Sequence, residues 1–284
     1  MSEIGTAPTL QRAALPRNLV WGSTIVVLVL LLAFIGPLLA PYPYDFIQAQ
    51  HRLEAPSFQF PFGTDEFGRD VLSRTIFGAR LSLFIGFGAT AVCLLTGVPL
   101  GLIAGYRRGT AGEIIMRAMD VLMSFPPVLL GLLILAVTSP SLWTLTLAVG
   151  VVYIPPIARV TRSVTLEIVQ EEFILAARAR GERANYILFF EILPNAWPPV
   201  IVEGSLRVTF AILLGAALSF LGLGAQPPSS DWGLMISEAR PYVDQAPWIV
   251  LAPGMVLCAT VIGINLLGDG LRELLDPRMI KRAA

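Results

Sequence analysis

The sequence predicts an all-α, polytopic membrane protein with six transmembrane helices, and three observations carry that prediction. First, five stretches contain no Asp, Glu, Lys or Arg: Asn18–Tyr44, Leu81–Tyr106, Val121–Ala158, Val208–Ser230 and Gln245–Gly268. Each exceeds the roughly 20 residues a helix needs to cross about 30 Å of hydrocarbon. Second, 55% of residues are hydrophobic and 14% charged, with a mean hydropathy of +0.72. Ordinary soluble domains carry about 25% charge. Third, Val121–Ala158 is too long for one crossing and holds Thr138-Ser139-Pro140 near its middle. It reads as a helical hairpin, which raises the count to six and places both termini on one side.

Arginine and lysine placement sets the orientation. One side collects Arg12, Arg17, Arg107, Arg108, Arg117, Arg159, Arg162, Arg178, Arg180 and Arg183, then Arg272, Arg278, Lys281 and Arg282. The other has Arg52, Arg69, Arg74, Arg80 and Arg240. The richer side, with both termini, is expected to be cytoplasmic. The lipid bilayer is then the first partner of the chain. A formal net charge of zero gives no case for nucleic acid.

Taken in order, residues 1–17 form a polar cytoplasmic leader and residues 18–40 the first transmembrane helix. Pro41-Tyr42-Pro43 breaks that helix and opens an external loop over residues 41–80. Within the loop, Thr64 is the expected N-cap of an interfacial helix with acids in its first turn. Residues 81–284 form a core of five further transmembrane helices. Phe125-Pro126-Pro127 should kink the third, and Pro155-Pro156 interrupts the fourth, expected over about Leu142 to Ile157. Gly86, Gly88, Ala89, Gly215, Ala216 and Ala217 suit close helix packing. Between the fifth and sixth helices, Ala225 to Pro247 reads as a short interfacial helix with aromatic anchors, Trp232 and Tyr242.

Much chemistry is excluded. The one lysine, Lys281, lies between Ile280 and Arg282, so no Gly-Lys-Ser/Thr phosphate loop exists. There is one histidine, His51, and no nucleophile elbow or zinc-ligand pair. Cys93 and Cys258 fall inside expected spans and behave as small apolar residues. The chain is read as neither an enzyme nor the holder of a metal or cofactor. A self-contained ion-coupled transporter is the alternative. It calls for ionisable groups near mid-membrane, which the five runs lack, and no inverted repeat is visible.

The remaining element is a cytoplasmic loop, residues 160–199, whose centre runs from Glu171 to Asn195. Glu171 and Glu172 open a helix and Arg178 and Arg180 close it, the order the macrodipole favours. Phe173, Ala176, Ala177 and Arg180 recur at three- and four-residue spacing, and the alanines leave that face shallow enough for another surface to approach. Gly181 is expected to end this helix in a left-handed conformation. A second short helix, about Arg183 to Leu193, is expected to turn back toward the bilayer and stop at Pro194. The plainer reading is a helical hairpin packed on its own bundle. Other charged residues have candidate roles on the pathway or as a gate. Asp120 sits near a membrane boundary with Arg117 as its expected partner, and Glu203 and Arg207 form an i,i+4 pair at the base of the fifth span. Asp65, Glu66 and Asp70 are read as capping groups or contacts for an external protein.

Leu175-Ala176-Ala177, then Gly181, then Ile192-Leu193-Pro194 resembles the EAA loop of ABC-importer permeases, with Leu175 where a glutamate often stands. Gly63-Thr64-Asp65 with Gly68-Arg69-Asp70-Val71-Leu72-Ser73-Arg74 is similar to the family's external loop. Phe220-Leu221-Gly222-Leu223-Gly224, Trp232-Gly233, Asn265 through Arg272 and Leu275-Asp276-Pro277-Arg278 resemble its last third. Over residues 15–280 the chain resembles the second permease subunit of the dipeptide/oligopeptide/nickel importers. The resemblance implies a type I importer permease fold whose loop is a coupling helix. Glu172, Phe173, Ala176, Ala177, Arg178, Arg180, Gly181 and Pro194 would meet an ATPase. It also implies a second homologous permease, two ABC ATPase subunits that bind ATP and Mg, and an external solute-binding protein.

Overall fold

The computed structural model describes residues 16–107 and 109–275. Most of the expected leader, Arg108 and the Asp276-Pro277-Arg278 segment lie outside the described residues. Among the described residues, the regular elements are helices, joined by one isolated antiparallel bridge between Thr64 and Asp70.

Helix α1 spans Arg17–Phe34, and a one-turn α2 follows at Gly36–Leu39. The chain then loops outward until α3, Val71–Tyr106. Its 36 residues make it about 54 Å long at 1.5 Å per residue, well beyond a hydrocarbon thickness. The boundary expected at residue 80 therefore falls inside a continuous helix, and no separate interfacial helix precedes the span. Nor does Thr64 cap it. Asp70 does, its carboxylate accepting from the Ser73 N–H at 2.8 Å. Thr64 staples the loop instead: its hydroxyl donates to the His51 carbonyl and accepts from the Glu54 N–H.

Helices α4, Thr110–Met123, and α5, Pro127–Ala136, meet at a 92° bend. Two successive prolines remove two N–H donors, and the residue before a proline avoids the helical region, so the expected kink is a break. Helix α6, Leu142–Val152, and α7, Ile154–Ile168, behave differently. Pro155 and Pro156 occupy the first turn of α7, where no N–H is needed. The pair reads as one crossing that extends to Ile168, eleven residues past the expected end. The loop contributes α8, Glu172–Ala179, and a single turn α9, Ala184–Tyr186.

The chain then runs through a π-helical stretch, Ile187–Ile192, straight into α10, Leu193–Phe220. The stop expected at Pro194 does not occur. Proline deprives the carbonyl four residues before it of a donor, and the wide π turn just upstream accommodates that loss without ending the helix. Asn195 adds a side-chain hydrogen bond of 2.7 Å to the Glu191 carbonyl. Helix α11, Trp232–Ala239, and α12, Trp248–Leu275, complete the fold. Among the described residues, five helices are long and apolar enough to cross a membrane, and six if the bent α4–α5 pair is one span.

Helix α3 is the axis of the bundle, packed against α7, α10 and α6, while α1 lies along α12. The expected small-residue contact is present where α3 crosses α10. A Cβ on Gly86 would meet the Ile212 side chain at 2.4 Å, and one on Gly215 would meet Ile85 at 2.5 Å. Trp232, expected as an interfacial anchor, is instead fully buried. Its indole N–H donates to the Thr75 carbonyl at 3.0 Å, pinning α11 to α3.

Candidate functional site

Helix α8 stands on the bundle by two residues. Ile174 and Ala177 are fully buried in the main core beside Val169, Ile187 and Leu188. Phe173, Leu175, Ala176 and Arg180 point outward. The expected face is corrected at Ala177, which the bundle covers. Burial of Ile174 turns the helix so that Ala177, three residues on, follows it inward. Glu172 occupies the first turn and Arg178 the last, as expected for the dipole. The Arg178 guanidinium lies 4.9 Å from the Tyr106 ring centroid, tying α8 to the end of α3.

Gly181 has a φ of +78°. Its N–H donates to the Arg178 carbonyl at 3.0 Å and the Glu182 N–H to the Ala177 carbonyl at 3.2 Å. This pair of bonds is the Schellman closure. A Cβ at Gly181 would meet nothing within 4 Å, so glycine is required there by backbone conformation and not by crowding within the chain. Arg180 reaches Glu182 at 3.7 Å and Glu191 at 3.6 Å, both loose and exposed. Tyr186 and Phe190 stack at 5.2 Å, and Phe189, Phe190 and Pro194 are exposed beyond them. The result is a shallow outward face with arginine and aromatic groups at its rim.

Asp120 has a nearer partner than the one expected. Arg159, from α7, holds it at 2.8 Å, while Arg117 stands at 3.6 Å. Glu203 and Arg207 do pair, at 2.5 Å. Because α10 begins at Leu193, they lie midway along a spanning helix and not at its base. Arg207 also lies 5.0 Å from the Phe210 ring centroid and 5.7 Å from that of Tyr153. The pair thus keeps its charges matched and cushioned by rings in an apolar region.

At the opposite end of α3 lies a feature that sequence reasoning missed. Asp65 accepts from Arg69 Nε and Arg74 Nη1, each at 2.6 Å. Glu238 of α11 receives Arg74 at 3.0 Å and Arg69 at 3.3 Å, and Glu66 receives Arg69 at 3.3 Å. Asp65, Arg69, Asp70 and Arg74 are buried and Glu238 partly so, and Asp65 and Asp70 therefore face their own chain and not an external protein. Burial, and then the neighbouring Asp65, raises the Glu66 carboxyl above its ordinary range. Asp231, the N-cap of α11, is pushed up to about 6, chiefly by burial. The one sequence signal for this cluster was the group of three charges at Asp65, Arg69 and Arg74. The partner that closes it, Glu238, lies on another element far along the chain.

The sequence comparisons give the class of protein to which this helical membrane bundle belongs, the transport permeases. Residues 97–281 match the family described as binding-protein-dependent transport system inner membrane component, and the chain belongs to that family. Residues 17–56 match the N-terminal transmembrane domain of oligopeptide transport permease C. The chain is 44% identical over 258 residues to the dipeptide transport system permease protein DppC of Alkalihalophilus pseudofirmus, covering 91% of this chain and 85% of the relative. It is 38% identical to the oligopeptide transport system permease protein OppC of Bacillus subtilis, over 92% of this chain and 85% of the relative. To the glutathione transport system permease protein GsiD of Pectobacterium atrosepticum it is 41% identical, over 89% and 85%. An inward-facing structure of the MetNI methionine ABC transporter shares the fold, with a TM-score of 0.59 at 19% identity over 72% of this chain and 96% of that one. The chain is an ABC-importer permease and not an enzyme. The ion-coupled carrier finds no support among its relatives.

Proposed function

We propose that this chain forms half of the translocation pathway of an ATP-driven, binding-protein-dependent importer of di- or oligopeptides in a bacterial cytoplasmic membrane. A second, homologous permease supplies the other half. Two ABC ATPase subunits bind ATP and Mg, and this chain binds neither. Its termini and the α8 loop face the cytoplasm, with the loop 41–70 and α11 outside, where a solute-binding protein delivers cargo.

The observation that carries this reading is the exposed face of α8. Ile174 and Ala177 anchor the helix, while Phe173, Ala176 and Arg180 are left outward with no covering element among the described residues. An ATPase cleft seated there would transmit its closure through Ile174, and through Arg178 on Tyr106, to α3 and the bundle. Peptide cargo is supported by the relatives, which include dipeptide and oligopeptide permeases. Asp120, with Arg159 and Arg117, belongs in this scheme to the cytoplasmic boundary of the pathway. Glu203 with Arg207 forms an intramembrane latch on α10.

The test is purification of the chain from its native membrane in mild detergent, with mass spectrometry of stoichiometric companions, for wild type and Gly181→Trp. Recovery of a P-loop ATPase and a second permease is expected, with the ATPase lost in the variant. A chain recovered alone, or an ATPase indifferent to Gly181, would overturn the reading.

A further inference from the structure

Near the outer end of α3 a cavity of about 600 Å³ opens between α3, the start of α6 and the loop preceding α11. Phe77, Arg80, Leu81 and Phe84 line it from one face of α3, at helical spacing. Tyr44 closes one side, its ring 5.3 Å from that of Phe77. On the other side stand Gln226 and Ser230.

Two polar groups in this cavity are unused. Arg80 makes no ion pair among the described residues, whereas Arg69 and Arg74, on the same stretch of chain, are both paired with carboxylates. Ser230 is 1% exposed and its hydroxyl has no hydrogen-bond partner. The other polar groups are already engaged. The Gln226 amide donates to the Gly222 and Gly224 carbonyls, and the Ser229 carbonyl accepts from Arg74. No carboxylate lines the cavity. Arg80 is exposed on the cavity wall, where its unpaired guanidinium is free to take an anion, and the buried Ser230 hydroxyl without a partner costs free energy. One kind of ligand suits both groups, an anion that accepts from the guanidinium and, once the Ser230 side chain turns toward the cavity, from its hydroxyl. The volume suits a small organic molecule and exceeds that of a bare ion.

We propose that this cavity is a carboxylate-binding site, in which Arg80 and Ser230 receive the C-terminal carboxylate of an incoming peptide while Tyr44, Phe77 and Phe84 enclose its side chain. The identity of the peptide rests on the function proposed above; the anionic chemistry does not. About 26 residues of α3, or about 39 Å of helix, separate Arg80 from Tyr106 and the α8 docking face. The site therefore lies at the receiving end of the pathway, and its occupancy is distinct from ATPase docking.

Two readouts test it. In the first, the purified transporter complex in zwitterionic detergent is probed by saturation-transfer NMR with N-acetylglycine and N-acetylglycinamide. Wild type and Arg80→Lys are expected to saturate the acid and not the amide. Arg80→Gln is expected to lose the signal, and Ser230→Ala to weaken it. Equal saturation of acid and amide, or a signal indifferent to Arg80→Gln, overturns the site. In the second, uptake of alanylalanine into phosphatidylcholine proteoliposomes holding the complete importer should fall about tenfold in Arg80→Gln, as expected for loss of a charge-assisted hydrogen bond. Arg80→Lys should recover most of it. An anionic lipid is the other source of such a group. If phosphatidylglycerol co-purifies with wild type but not with Arg80→Gln, and abolishes the acetylglycine signal in nanodiscs, the site belongs to a headgroup and the peptide assignment falls. A wild-type importer that moves no alanylalanine defeats the peptide reading, while the NMR readout still decides the carboxylate site.

Discussion

The two ends of α3 handle charge in opposite ways. At the Val71 end, Arg69 and Arg74 are 4% and 2% exposed and share Asp65 and Glu238 at 2.6 to 3.3 Å. At the Tyr106 end, on the adjoining α8, Arg180 is 55% exposed and its carboxylate partners stand at 3.6 and 3.7 Å. Buried ion pairs cost desolvation and are held only where geometry is good; exposed ones contribute little. The buried network therefore joins the 41–70 loop, α3 and α11 into one rigid unit. Helix α8 ends in an arginine whose carboxylate partners on this chain are only loosely held. In the function proposed above, the first end would be a fixed receiving surface and the second an end that another subunit grips.

This contrast predicts a gradient of mutational effects. The largest belongs to the buried network. Arg74→Met leaves Asp65 and Glu238 short of a buried partner and should cost about 3–5 kcal/mol. It would be read as loss of monodisperse protein and a lowered unfolding midpoint in detergent. Wild-type stability in Arg74→Met would show that the network is dispensable.

Next comes Asp231. Its folded carboxyl titrates at about 6, against about 3.9 when unfolded. Between those values the folded state holds more protons, so stability is greatest at low pH and falls as pH rises through 6. The full loss approaches about 3 kcal/mol. Asp231→Asn should flatten that slope, and unfolding midpoints measured from pH 4 to pH 7 would reveal it. An undiminished slope in the variant would assign the effect to another group.

Smaller effects belong to the Tyr106 end. Gly181→Ala forces an L side chain to a φ of +78° and should loosen the last turn of α8 by about 1–2 kcal/mol. Hydrogen exchange at Arg180, Gly181 and Glu182 should quicken there without a change in the 41–70 loop. Smallest is Asp120→Asn, which breaks exposed pairs with Arg159 and Arg117 and should shift stability by less than about 1 kcal/mol. A larger shift would give Asp120 a role beyond an exposed boundary pair.

The spans were legible because hydrocarbon demands long uncharged runs, and α1 and α12 fall close to where those runs place them. Their ends were less legible where charge sits inside a helix. Arg74 and Arg80 hid the true start of α3 at Val71, since a run of uncharged residues cannot reveal that Arg74 is neutralised by Asp65 and Glu238. Glu203 and Arg207 hid the lower half of α10 in the same way, by neutralising each other. Pro194, Pro198 and Pro199 deepened the error, because a π turn upstream absorbed a break that proline usually makes. In the α8 loop, glycine and dipole signals located the helix and its cap correctly. Its facing was missed at Ala177, since only the packing of Ile174 decides which side turns inward.

The most direct test places a photo-crosslinking amino acid at each end of the bundle in native membranes. One position is Leu175, 54% exposed on α8, and the other is Phe58, fully exposed in the 41–70 loop. The account predicts that Leu175 links to an ATP-binding subunit and that Phe58 never does. An ATPase adduct at Phe58, or none at Leu175 in a membrane where the assembled transporter is active, would contradict it.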